Sequence, residues 1–273
     1  MATATKQTKD TGTWCVSSYD RSRERTWHLS LVIGTGVHAW AAHGINDGSI
    51  AALGWSEDDR SLDTDEVPTH PASISFITLP EWSTLVPDGA LEAGSQARHL
   101  SLVHGGLPTG ALRDEVIASL GATCIYVHDD EAERKVLDRF PNARPVPMQS
   151  LLVRSAMVRA TQRTTMVLHR SHQNVEICIA APGRVLLSNS FPARTSQDLL
   201  YFALLAVEGS GLKAQELQLV RGGTHLTDHE RELLGRYFAN EEVALGNWVE
   251  RPLREEVDGS RWLALVEQFA CVS

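Results

Sequence analysis

The 273-residue chain fits one large or two medium domains, and 42% hydrophobic against 22% charged residues gives it the apolar content to bury a core. Its formal net charge of -9 argues against broad charge-driven binding to DNA, RNA or anionic membranes. Cys15, Cys124, Cys178 and Cys271 form no C-x-x-C pair and are too sparse for a disulfide scaffold, no apolar run approaches the roughly 20 residues that span a bilayer, and the N-terminus has no secretory-signal core, so a cytoplasmic protein with reduced thiols and no membrane insertion is expected.

Residues 1–25 are polar and read as a flexible tail that could end in a short strand near Trp14. Strand signals follow at 26–34, 37–43 and, after the turn Asn46-Asp47-Gly48-Ser49, at 50–55, which together read as an antiparallel meander. A charged loop spans 56–66, and 74–78 closes the meander or pairs elsewhere. Residues 89–99 are helical in character and 99–103 read as a strand. Leu112, Val116, Ile117 and Leu120 make a helical stripe over 112–120. A buried strand is expected at 123–127, a helix at 130–140 and another at 149–160.

The second half restarts the pattern. Strands are expected at 165–169, 175–180 and 185–190, with Pro182-Gly183-Arg184 as a hairpin turn. Thr195 with Asp198 three residues on opens a helix over 196–209, and Thr227 with Glu230 opens another over 227–238. Short strands are expected at 217–220 and 242–245, and a closing helix at 262–269. Each half is thus a meander followed by alternating helix and strand. That is the layout of a ribonuclease H-like unit, and two in tandem make the actin and sugar-kinase architecture, although periodicity alone leaves other α/β arrangements open.

One stretch carries a family likeness: Leu187-Ser188-Asn189-Ser190-Phe191, Thr195, Asp198-Leu199-Leu200-Tyr201-Phe202, then Leu217-Gln218-Leu219, Gly222 and Arg236-Tyr237-Phe238. Thr78-Leu79-Pro80, Leu85-Val86-Pro87, Cys124 to Val127, Phe140-Pro141 and the closing Trp262 to Cys271 extend it over most of the chain. In order and spacing these segments resemble a family of uncharacterised bacterial proteins with a duplicated actin-like ATPase fold, whose wider relatives include platform proteins of pilus assembly and type II secretion. The resemblance implies an α/β protein of two tandem ribonuclease H-like lobes, with mixed sheets that each start with an antiparallel meander. The lobes are expected at residues 26–160 and 161–273.

The resemblance also implies where nucleotide would sit: in the cleft between the lobes, on two turns each led by a carboxylate that positions the metal ion. The first turn is Gly34-Thr35-Gly36, but Val32 stands near the acid position and Ala39 near the usual lysine. The second runs from His169 through Arg170, Ser171 and His172 to Asn174, with His169 in place of the acid. Val32 has no ligand atom, and His169 with Arg170 and His172 suits an anion better than magnesium. Gly222-Gly223-Thr224 resembles the turn that approaches adenosine, where glycine admits close backbone contact. Gly34, Thr35, Gly36, His169, Arg170, His172, Gly222, Gly223 and Thr224 are therefore the candidate cofactor-binding residues, each also readable as an ordinary turn residue; ATP is the cofactor they would take, and none is strictly expected.

Other constellations are weaker. His99, His104, His225 and His229 build no H-E-x-x-H-like set, so no metal site is expected. The segment 188–191 lacks G-x-S-x-G, Cys124 reads as strand packing, and His104-Gly105-Gly106-Leu107-Pro108 is a loop, so no catalytic residue is assigned. The expectation is a pseudo-ATPase scaffold working through a protein partner, or as a homodimer, without nucleic acid. The alternative is a nucleotide- or sugar-phosphate-binding enzyme with diverged loops. A ribonuclease H-type nuclease is disfavoured by the missing carboxylates on the lead strands.

Overall fold

A computed structural model describes residues 11–57, 62, 65–243 and 257–271, so residues 244 and 245 of the expected strand at 242–245 and parts of the charged loop at 56–66 lie outside it. The chain divides into two compact units, one drawn from Met1–Leu79, Glu131–Val146 and Leu245–Ser273, the other from Pro80–Asp130 and Pro147–Ala244.

In the first unit β1 (Thr11–Cys15), β2 (Trp27–Gly34), β3 (Val37–Gly44), β4 (Ile50–Ser56), β5 (Ser73–Leu79) and β9 (Arg144–Pro145) form one sheet in the order β1-β4-β3-β2-β5-β9. β2, β3 and β4 are the expected antiparallel meander, β5 runs parallel to β2, and β9 runs parallel to β5. β1 pairs antiparallel with β4 and buries Trp14, so the polar stretch read as a tail is ordered from Thr11. One indole can hold a strand in place because its burial removes a large apolar area from water. Alternation along β2 sends Trp27, Leu29, Leu31 and Ile33 into a core with Trp40, Phe76 and Val136 of α2 (Asp130–Arg139). Gly54 makes room for Trp40: a Cβ there would lie 2.3 Å from the indole nitrogen.

The closing helix α6 (Leu263–Gln268), preceded by a 3-10 turn at Gly259–Trp262, packs on β2 and β3 through polar groups as well as apolar ones. Ser75 Oγ donates to Gln268 Oε1, and Gln268 Nε2 donates to Leu31 O at 3.2 Å. With its proton so used, Ser75 accepts from His28 Nε2 (2.9 Å), and His28 Nδ1 therefore accepts from Ser73 Oγ (2.7 Å). His43 stacks on Phe269 with ring centroids 5.5 Å apart.

In the second unit β10 (Thr165–Arg170), β11 (Asn174–Ala181), β12 (Arg184–Pro192), β13 (Gln218–Gly222) and β14 (Asn240–Val243) form a sheet of order β12-β11-β10-β13-β14. The first three are an antiparallel meander, β13 runs parallel to β10, and β14 parallel to β13. Strand order and sense thus repeat those of β4-β3-β2-β5-β9. α4 (Ser196–Gly209) and α5 (Asp228–Gly235) cover one face, burying Met166, Leu168, Ile177, Ile179 and Leu219 with Leu199, Ala203 and Leu234. Both helices open with the capping boxes expected at Thr195/Asp198 and Thr227/Glu230. α3 (Met148–Arg159) packs on β10, β11 and β12, with Gln149 bonded to Ser188.

A small antiparallel sheet of β6 (Glu81–Pro87), β8 (Ala122–His128) and β7 (Leu112–Ile117), in the order β6-β8-β7, completes this unit. Two sequence expectations fail here. Residues 112–117 are strand β7, not a helix: Arg113, Glu115 and Ile117 turn inward while Leu112 and Val116 stay exposed, and Glu115 is held by Arg154 of α3 at 2.7 Å. Residues 99–103, expected as a strand, belong to helix α1 (Gln96–His104), which buries Leu100 against Val86, Ile125 and Val127 and ends at Gly105 in the left-handed conformation. Among the described residues no helix is long and apolar enough to cross a membrane.

Candidate functional site

The second turn is built by the β10–β11 hairpin. Its register sets His169 opposite Glu176 on one face and, across β10, beside Gly222 of β13. His169 is 1% exposed. Its Nδ1 lies 3.0 Å from Glu176 Oε2, and Ser171 Oγ lies 2.9 Å from Glu176 Oε1. The imidazole is thus engaged by a carboxylate on the next strand. Among the described residues its Nε2 has no hydrogen-bond partner.

Arg170 projects from the opposite face and is buried. Its Nε meets Glu230 Oε1 at 3.3 Å, and Nη1 donates to the carbonyls of Ser171 (2.7 Å) and Asn174 (3.0 Å). Glu230 in turn accepts from the backbone N–H of Thr227 at 2.9 Å. One guanidinium thus ties the hairpin turn to the start of α5, which explains a buried charge that would otherwise be costly.

The Gly-Gly turn closes against the same corner. Gly223 has φ 120°, and a Cβ there would lie 2.3 Å from Arg170 O and 2.5 Å from Arg170 N, so glycine is required by both conformation and contact. Beyond it Thr224 Oγ lies 2.9 Å from His225 Nδ1, and the His172 and His225 rings meet edge to face at 5.2 Å. His169, Arg170, His172, Gly222, Gly223 and Thr224 therefore come together at one end of β10 and β13. Gly34, Thr35 and Gly36 form the β2–β3 turn of the first unit, with Gly36 at φ 68°. There Val32 and Ala39 face each other across the ladder, 1% and 0% exposed, as two packed apolar side chains.

Sequence reasoning missed a small pocket of about 10 Å³ on the α3 face of the second sheet, lined by Glu81, Ser83, Gln149, Leu152, Glu176, Ser188, Asn189 and Ser190. Glu81 caps α3: its carboxylate accepts from Met148 N at 2.5 Å and Gln149 N at 3.3 Å, where the helix dipole favours negative charge, and His128 Nε2 lies 3.5 Å away. Gln149 Nε2 donates to Ser188 O (3.3 Å) and Ser188 Oγ (3.2 Å). Glu81 and Glu176 thus border the same small pocket, each 8% exposed and already hydrogen-bonded within this unit. Counting back from the turn at residues 171–173 would have placed Glu176 against His169; nothing local points to Glu81. Burial pushes the Cys178 thiol up to about 12 and the Cys124 thiol well above its ordinary value, which disfavours a thiolate at either. Among the described residues, no three His, Cys, Asp or Glu side chains gather into a metal-binding group.

These sheets and their order belong to an α/β protein with the actin-like ATPase fold. A protein of that fold and of unknown function from Bacteroides thetaiotaomicron superposes with a TM-score of 0.75 at 15% identity, covering 93% of this chain and 100% of that one. The PilM–PilN type IV pilus biogenesis complex matches with a TM-score of 0.53 at 13% identity over 91% of this chain and 98% of that one. The cytoplasmic domain of EpsL, an inner membrane component of the type II secretion system of Vibrio cholerae, gives 0.49 at 11% identity over 90% and 95%. No curated protein matches the sequence. Residues 75–240 match the family described as protein of unknown function (DUF3822), and the chain belongs to that family.

Proposed function

We propose that this protein is a non-hydrolysing member of the actin-like ATPase fold, built of two tandem ribonuclease H-like lobes, that works by binding a protein partner. The two sheets with one strand order and one pattern of senses support the duplication. The observation that carries the functional reading is the chemistry of the two turn-leading positions. Val32 is packed against Ala39, and His169 is engaged by Glu176, so neither position offers a carboxylate to a hydrated magnesium ion. The partner-binding half draws support from the pilus neighbour, which was seen as a complex of PilM with PilN.

Calorimetric titration with ATP, with and without magnesium, tests this. The reading expects no magnesium-dependent saturation in the micromolar range. A magnesium-dependent micromolar isotherm would instead favour the second reading, a nucleotide- or sugar-phosphate-binding enzyme. What speaks for that reading is the gathering of His169, Arg170, His172 and Gly222 to Thr224 at one corner.

A further inference from the structure

Going beyond the reading above, we propose that the outer edge of β7 is a self-association surface, on which a second copy of this chain lies antiparallel about a two-fold axis through Asp114. β7 ends the small sheet, and among the described residues no strand pairs with its outer edge. Exposed large apolar side chains concentrate around it: Leu102 and Val103 of α1, Leu107 just beyond that helix, and Leu112 and Val116 of β7 itself, the last 61% exposed. Leu112 and Val116 alternate in phase with Asp114, and Gln96 Nε2 of α1 donates to Asp114 Oδ2 at 3.3 Å, so helix and apolar strip share one face of the sheet. α1 sets its buried Leu100 against Val86 of β6 and Ile125 and Val127 of β8, which leaves the β7 end of that face uncovered. An open edge beside an exposed apolar strip marks an association surface.

The order of side chains along β7 says what covers it. A two-fold antiparallel pairing keeps every side chain on its own face of the sheet, so the axis has to pass through a residue. An axis through Arg113 opposes two guanidiniums, and one through Glu115 opposes two half-buried carboxylates. An axis through Asp114 sets Leu112 opposite Val116 of the second copy, twice, on the α1 face, and Arg113 opposite Glu115 of the second copy, twice, on the other. Arg154 holds Glu115 Oε1 at 2.7 Å, and a second guanidinium adds to that carboxylate without displacing it, because a carboxylate accepts at both oxygens. Only Asp114 then meets its like, and it is exposed, where water weakens the repulsion. Apolar and opposite-charge cross-strand pairs are what stabilise such a ladder, so the strand is its own best complement. The pairing joins two three-stranded sheets into one continuous sheet.

Sedimentation equilibrium of the full chain at about 100 μM is expected to show a dimer. Leu112→Glu and Val116→Lys each spoil both apolar pairs and should weaken association at least about tenfold. Combining the two substitutions sets opposite charges across the axis and should bring association back to within about threefold of wild type. Within one chain these positions lie about 13 Å apart along the strand, too far to pair with each other, so recovery requires a second copy in this register. Asp114→Asn removes the repulsion on the axis and should tighten the dimer about threefold. All three positions are exposed, and circular dichroism confirms that each variant is folded. A wild-type chain that stays monomeric, single variants that dimerise like wild type, a double variant no better than the singles, or an Asp114→Asn chain that associates more weakly overturns the proposal. None of these results bears on hydrolysis, which ATP turnover on the same samples decides for monomer and dimer alike.

Discussion

Two buried histidines should make the first unit acid-sensitive by an amount fixed by the unfolded chain. Burial, with His43 nearby, lowers the pKa of His28 to about 3; burial lowers that of His43 to about 4, against a partial upward pull from the carbonyls of Gly48 and Leu265. Both folded values lie below the ordinary 6.5, so the unfolded chain binds protons first as pH falls. The stability these groups lend is complete above pH 6.5 and drains away below it, until the folded values near 4 and 3 are passed. Between pH 7.5 and pH 5.0 each histidine should cost about 2 kcal/mol, or about 4 kcal/mol together, because only the unfolded chain titrates in that window. Urea unfolding followed by tryptophan fluorescence suits the measurement, since Trp27, Trp40 and Trp55 are buried in the same unit. His28→Gln and His43→Phe should each remove about 2 kcal/mol of the pH dependence, whatever they do to stability at pH 7.5. If either variant loses the same stability as wild type between the two pH values, the histidines are not buried in neutral form and the packing described for α6 is wrong.

Arg170→Met should cost about 3–5 kcal/mol in urea unfolding by stranding Glu230, and Arg170→Met combined with Glu230→Met should recover most of that loss. A single variant as stable as wild type would show that the pair is not buried. Thr195→Ala removes the oxygen that accepts from Asp198 N at 3.1 Å and should lower stability by about 1 kcal/mol in the same assay; no change would mean the capping box is not formed in solution.

Local chemistry explains what could be read from the sequence. α4 begins at Ser196 because Thr195 and Asp198 satisfy backbone donors that the helix itself leaves open, a signal confined to four residues. The hairpin between β11 and β12 is likewise set by Pro182-Gly183, with Gly183 at φ 77°. By contrast, residues 112–120 carry apolar side chains at spacings that suit a helix, yet β7 wins because Glu115 finds Arg154 thirty-nine residues away and β8 supplies the ladder. The same limit applies at the site. His169, Arg170 and Gly223 were identifiable as turn residues, whereas their partners Glu176 and Glu230 depend on strand register and on a contact sixty residues apart. Glu81 escaped notice because its role is to cap α3, sixty-seven residues downstream.

Steady-state phosphate release from ATP with magnesium, by the purified full chain, bears most directly on the proposal that Val32 and His169 leave this fold without hydrolysis. The expected result is release no faster than in a protein-free control. Release that scales with protein concentration, and that disappears on chelating magnesium, would contradict it.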